Sequence, residues 1–491
     1  MEDNPPVEAK SDQAAAARDV APGTPPIVYP ETHRDDQNDT FHGVQVADPY
    51  RWLETDVRQS SEVSDWVERQ NAVTEAYLAS IPEREAIRRR LTELWNYPRY
   101  SAPSQVGGKY FFRKNDGLQN QAVLYVADSL TAPPRLLIDP NTWSADGTVA
   151  LSSAVPSHDG TKLAYTVSEA GSDWKTLKIL DLATGQALED ELKWLRWGNV
   201  EWTRAGDGFY YGRYPEPEEE EQYQSLALNN MIYFHRLGTP QDHDALVYRR
   251  PDQPEWVFSV TPTHDEQYVV LEISKSTDDQ NQLWFRPTAD TEWTPVIADF
   301  ENQFWFVGNQ GSTFYFFTDL NAPTKRIVAL EVSRLTDQVN ARELVREIVP
   351  AVTDTMQSVS LVNQQLIATY LKDALTKVRV FSLEGEPVRD VDLPGPGTAS
   401  GFDGEQDDTE TFYSFSSYTT PSSIYHYDLR TGSSTLWHQS EVDFDPERFE
   451  SHQVFYTSHD GTRIPMMIAH RKGLQRNGNQ PTLLYGYGGF N

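Results

Sequence analysis

The chain has no cysteine among its 491 residues. Disulfides, zinc–thiolate sites and thiol nucleophiles are therefore excluded for these residues. Basic residues are scarce as well: 42 Lys and Arg stand against 73 Asp and Glu, a net charge of −31. A surface of that sign repels phosphates and anionic headgroups, so neither nucleic acid nor membrane is expected as a partner. The excess acid is spread along the chain, a pattern that salt-adapted proteins share with ordinary acidic enzymes. No run approaches the ~18 consecutive apolar residues of a membrane-spanning helix. Residues 1–28 are rich in Ala, Pro, Asp and Glu and lack the basic and apolar stretches of a signal peptide. They read as a disordered tail, and the expected location is cytoplasmic, or periplasmic if the true start lies upstream. Nor does the sequence contain a Gly-x-Ser-x-Gly nucleophile elbow.

The length calls for more than one domain. Residues 29–80 form an N-terminal segment. It contains Asp39-Thr40-Phe41-His42-Gly43 and Asp48-Pro49-Tyr50-Arg51-Trp52-Leu53-Glu54, where Asp-Pro fixes an extended-to-turn backbone and the aromatics can dock it on another surface. His33 and His42 in this segment read as structural. Apolar residues recur at helical spacing from Ser61 to Tyr77, with Ser61 or Ser64 as caps, and again after Pro82 up to Pro98.

Across 81–445 the pattern becomes short aromatic and β-branched runs divided by turn residues. Turns such as His158-Asp159-Gly160, Gly206-Asp207-Gly208, His264-Asp265-Glu266, Gln310-Gly311, Asn363-Gln364 and Asp407-Asp408 recur at roughly 45 to 58 residues. That is close to the ~40–50 residues of a four-stranded propeller blade, and seven blades fit the length. Asp181 to Gly185 and Asp428 to Gly432 place one Asp-Leu-x-Thr-Gly turn in two different blades. The His-Asp pairs read as hairpin chemistry in separate blades, too far apart to share a metal, so no metal and no cofactor is expected. The acidic run Glu216 to Glu221 reads as a solvated loop.

Residues 446–491 begin with a hairpin pattern and end in Pro481-Thr482-Leu483-Leu484-Tyr485-Gly486-Tyr487-Gly488-Gly489-Phe490-Asn491. The apolar run reads as a buried strand and the glycines as a tight loop suited to stabilising an anion, as after the third strand of an α/β-hydrolase.

The segment from Asp39 to Glu54 and the closing Tyr-Gly-Tyr-Gly-Gly-Phe-Asn together resemble the prolyl oligopeptidase family of serine peptidases. Tyr-Arg-Trp-Leu-Glu after Asp-Pro also occurs in the basic-specific oligopeptidase B group, whereas the closing stretch is similar to the proline-specific branch. The resemblance implies a mainly β fold: a seven-bladed propeller with the N-terminal helical segment and first strands of an α/β-hydrolase domain. It further implies a monomeric enzyme that cleaves short proline-containing peptides after proline through a seryl intermediate. Tyr487 matches the side-chain donor to the oxyanion and Phe490 a wall of the peptide pocket. Trp197 matches a propeller residue, typically Phe, that caps the substrate. The family's Ser, Asp and His would follow position 491, so residues 1–491 are expected to be an inactive fragment. The alternatives are a non-catalytic propeller binding module and a basic-specific peptidase.

Overall fold

The computed structural model describes residues 27–198, 200–217, 227–275, 278–335, 341–443 and 445–486. The described residues fall into two compact units that divide between Glu93 and Leu94.

In the first unit, the Asp39 segment forms a hairpin, Asn38–Phe41 against Val44–Ala47. Its turn residues His42 and Gly43 both have positive φ, 51° and 82°, the geometry that matches strand twist in a two-residue turn. Arg51 then ties the hairpin down, donating from Nε to Asp48 at 2.5 Å and from Nη2 to Asp39. Helix α1 (Ser61–Ala79) is capped by Ser60, whose hydroxyl accepts from Val63 N–H, and not by Ser61 or Ser64 as the sequence suggested. The cap position precedes the first helical turn, where N–H groups have no intrahelical acceptor. The indole N–H of Trp66 on α1 donates to Thr32. Helix α2 (Arg84–Trp95) follows.

Most of the second unit is seven antiparallel sheets: six have four strands that follow the chain in order, and the first has five, Arg99–Tyr100 and Ser104–Val106 both pairing with Lys109–Asn115. The blades occupy 99–138, 149–195, 200–249, 256–297, 304–349, 355–390 and 398–439. The strand Tyr268–Lys275 in the fourth blade shows why these runs become strands. Val269, Leu271 and Ile273 are buried on one side and Val270 on the other, so β-branched residues are packed from both faces. One turn recurs inside successive blades. Ser157, Thr203 and Thr263 each accept from the N–H three residues on, at Gly160, Gly206 and Glu266. Those three residues have φ of 64°, 64° and 55°. The Asp-Leu-x-Thr-Gly turns also coincide: Asp181 accepts from Ala183 and Thr184, Asp428 from Arg430 and Thr431.

Each adjacent pair of blades from the first to the seventh encloses a buried apolar cluster. Among the described residues the seventh and first blades enclose no such cluster, and neither blade lends a strand to the other. Their seam is closed by side chains: Trp437 packs edge-on to Tyr100 at 5.8 Å and to Phe112 at 5.5 Å, and Tyr110 donates to Glu410 at 2.5 Å.

After the ring, Phe449–Thr457 and Arg463–Arg471 pair as a hairpin, matching the pattern read from the sequence. The buried strand expected at 481–485 is not formed. Leu483, Leu484 and Tyr485 are 91, 82 and 79% exposed. A strand needs a neighbour to satisfy its N–H and C=O groups, and among the described residues none pairs with this run. No described helix is long and apolar enough to cross a membrane.

Candidate functional site

Trp197 lies between the last strand of the second blade, Ala187–Leu195, and the first of the third, Val200–Trp202. Its surroundings explain its orientation. Trp194 adopts a left-handed φ of 66° and Gly198 one of 119°, which turns the chain sharply on either side of Arg196 and Trp197. The Arg196 guanidinium lies 4.5 Å from the Trp174 ring centre and 5.1 Å from that of Trp197. Tyr214 meets Trp174 and Trp197 edge-on at 6.2 and 6.3 Å. A Cβ on Gly212 would come within 3.3 Å of the Trp197 carbonyl oxygen, so glycine there allows the close approach. Trp197 remains 48% exposed, unlike a blade-core tryptophan such as Trp202 at 3%. Beneath it the Tyr214 hydroxyl is buried without a hydrogen-bond partner, and burial pushes its pKa up to about 12. The result is an aromatic surface stiffened by a cation, suited to a flat apolar ring. Tyr487 and Phe490 lie outside the described residues, as do 218–221 of the acidic run.

A second cluster lies at the turns that follow the first strand of each blade. These turns surround a cavity of about 300 Å³ lined from the second to the seventh blade. His158, Arg204 and His264 occupy one equivalent position, directly after Ser157, Thr203 and Thr263. Glu405 of the seventh blade receives all three: its Oε2 accepts from Arg204 at 2.6 Å and lies 3.2 Å from His264 Nδ1, and its Oε1 lies 3.4 Å from His158 Nδ1. Arg204 Nη2 also contacts His264 Nδ1. Burial pushes the Glu405 carboxyl up, but the His158 hydrogen bond and the Arg204 charge outweigh it and hold the pKa at about 2. Asp403 and Asp408 nearby are pushed upward by burial. Asp407 brings a further oxygen to 3.7 Å from His264 Nε2.

The expectation that the His-Asp pairs stand far apart is thus corrected. The blades are separate, yet their first turns converge, and His264, Glu405 and Asp407 could each offer a ligand atom within 4.8 Å of one another. Arg204 already supplies a cation to Glu405. The signal was available in the sequence: the same turn places the residue after Ser or Thr in three consecutive blades, and two of those residues are histidine.

Seven antiparallel sheets, six of four strands and the first of five, agree with a match to known proteins. A family model described as the N-terminal β-propeller domain of prolyl oligopeptidase covers residues 30–440. The chain belongs to the prolyl oligopeptidase family. It is 38% identical over 466 residues to a prolyl endopeptidase of Elizabethkingia meningoseptica, covering 95% of this chain and 64% of that protein. With prolyl oligopeptidase A of Amanita bisporigera the identity is 30%, over 95% of this chain and 65% of the relative. Among solved structures, a prolyl endopeptidase superposes with a TM-score of 0.85 at 36% identity, over 94% of this chain and 67% of the other. Prolyl oligopeptidase B from Galerina marginata, solved with a 25-residue macrocyclisation substrate, gives 0.82 at 29%, over 92% and 66%. The chain therefore spans somewhat under two thirds of the length of the prolyl endopeptidase it matches at 38% identity.

Proposed function

We propose that the protein carrying this chain is a serine endopeptidase that cleaves short peptides on the C-terminal side of proline through a seryl acyl-enzyme. Membership of the prolyl oligopeptidase family carries the reading, and the proline specificity rests on the closing Tyr485 to Asn491 stretch. In this reading the Tyr487 hydroxyl donates to the oxyanion, a neutral donor that adds no charge to the site. Phe490 forms a wall of the pocket, and Trp197 presents its exposed face to the peptide. The mechanism is acyl transfer: serine adds to the carbonyl carbon of the proline, the tetrahedral oxyanion collapses with loss of the amine that followed it, and water releases the peptide ending in proline. Residues 1–491 alone, which contain no Gly-x-Ser-x-Gly, are expected to be inactive.

Matched chromogenic peptides ending in Pro or Arg, assayed with the full-length protein, test this reading. Faster turnover after Pro supports it, and faster turnover after Arg overturns it in favour of a basic-specific peptidase. Turnover by purified residues 1–491 that a serine-directed phosphonate blocks would refute the expected inactivity of that segment.

A further inference from the structure

Among the described residues the joint between the last and first blades differs from the other six in having no buried apolar cluster, and is closed by Trp437, Tyr100, Phe112 and the Tyr110–Glu410 hydrogen bond. The same last blade sends the loop 402–408 across the central cavity. Its contacts reach five other blades. Glu405 meets His158, Arg204 and His264 in the second, third and fourth blades. Gln406 donates to Asn309 of the fifth blade at 3.5 Å and accepts from Gln364 of the sixth at 3.3 Å. Ser360 of the sixth blade donates to the Phe402 carbonyl at 2.6 Å.

The loop is aimed at the axis by its own backbone. Phe402 is held at a left-handed φ of 72°, an unfavourable state for an aromatic residue that persists only where the surroundings enforce it. Its ring is fully buried and stacked on Tyr413 at 4.6 Å. Gly404 is tightly enclosed: a Cβ there would stand 3.0 Å from the Asp408 carboxylate and 3.3 Å from Val362, so those side chains would have to give way. The Glu405 N–H then donates to Asp408 at 2.8 Å, fixing the tip.

We propose that 402–408 is a cross-axis latch. By seating Glu405 on Arg204 and the two histidines, it registers the last blade against the opposite side of the ring and keeps the last-to-first seam shut. Opening that seam requires the Glu405 contacts to break, although they lie away from the seam itself. The inference concerns the ring alone and holds whichever peptide the parent protein cleaves.

Hydrogen–deuterium exchange of the full-length protein tests it, comparing wild type with Glu405→Ala, Glu405→Gln and Asp299→Asn. Asp299 is a control, since its pair with Arg342 at 2.6 Å is far in sequence from the loop and the seam. Glu405→Ala should raise exchange at least tenfold in Lys109–Asn115 and Glu410–Ser416, with far smaller change in Thr313–Thr318. Glu405→Gln, which keeps the shape and loses the charge, should raise it roughly threefold or more at the same strands, and is decisive if the alanine variant does not fold. Asp299→Asn should leave the seam unchanged. Unchanged seam exchange in Glu405→Gln, or a rise spread equally over all blades, would overturn the proposal.

Discussion

Arg204 and Glu405 belong to the third and seventh blades, 201 residues apart in the chain, and meet at 2.6 Å over the central cavity. The carboxyl is held at about 2 against an ordinary 4.5. A depressed carboxyl pKa adds stability that is complete above the ordinary value and disappears as pH falls through the depressed one. Glu405→Gln should therefore melt below wild type at pH 7, with the gap narrowing from about pH 4.5 downward and closing near pH 2. Thermal melts across that range check it, and a gap independent of pH would contradict the assignment.

His235 makes a different kind of joint. Fully buried, it is hydrogen-bonded through Nδ1 to Asp244 at 2.7 Å and faces Asp190 of the second blade from Nε2 at 3.0 Å. Burial alone would lower the imidazole pKa, but the bonds to Asp244 and Asp190 outweigh it and leave it raised. His235→Ala takes the cation from two buried carboxylates, leaving Asp244 with the Tyr211 hydroxyl and Asp190 with the Gly238 N–H as donors, and should cost about 3 kcal/mol. Because the folded pKa is raised, the contribution is complete below about pH 6.5 and is lost as pH rises through the folded value. Urea unfolding at pH 6 and pH 9.5 should show the larger difference at pH 6.

Glu272 is expected to weaken the fold at neutral pH. Burial raises its carboxyl to about 7, opposed only by the Phe306 N–H, which donates to it at 3.2 Å. An acid with a raised pKa binds more protons folded than unfolded, so stability falls as pH rises from about 4.5 through 7. Glu272→Gln keeps an acceptor for Phe306 without the charge. It should be more stable than wild type by on the order of 2 kcal/mol above pH 7.5, and the advantage should vanish near pH 4.5.

Trp197 separates binding from folding. Half-exposed on its loop, it can be truncated with little effect on the melting temperature. If its face meets the peptide, Trp197→Ala in the full-length protein should raise KM roughly 2- to 12-fold, the equivalent of about 0.5–1.5 kcal/mol for an aromatic contact. An unchanged KM with a lowered melting temperature would make it a packing residue instead.

Much of this was legible in the sequence because turns carry local chemistry. Asp181-to-Gly185 and Asp428-to-Gly432 read alike and fold alike, and the spacing of the turns from His158-Asp159-Gly160 to Asp407-Asp408 gives the blade period. Glu405 was not legible. Its partners are contributed by three turns, the nearest of them 141 residues away, and periodicity does not say that a loop crosses the axis. The Asn38–Ala47 hairpin carries no strand signal in the sequence, since its polar and exposed residues lack an alternating buried face. The apolarity of 481–485 suggests a strand, but pairing, which apolarity does not supply, decides whether a strand forms.

The most direct test of the proposed activity uses one peptide of about ten residues with a single internal Pro and a single internal Arg. Incubated with the full-length protein and read by mass spectrometry, it should yield a fragment ending in Pro while the bond after Arg stays intact. A fragment ending in Arg with the prolyl bond untouched would contradict the account.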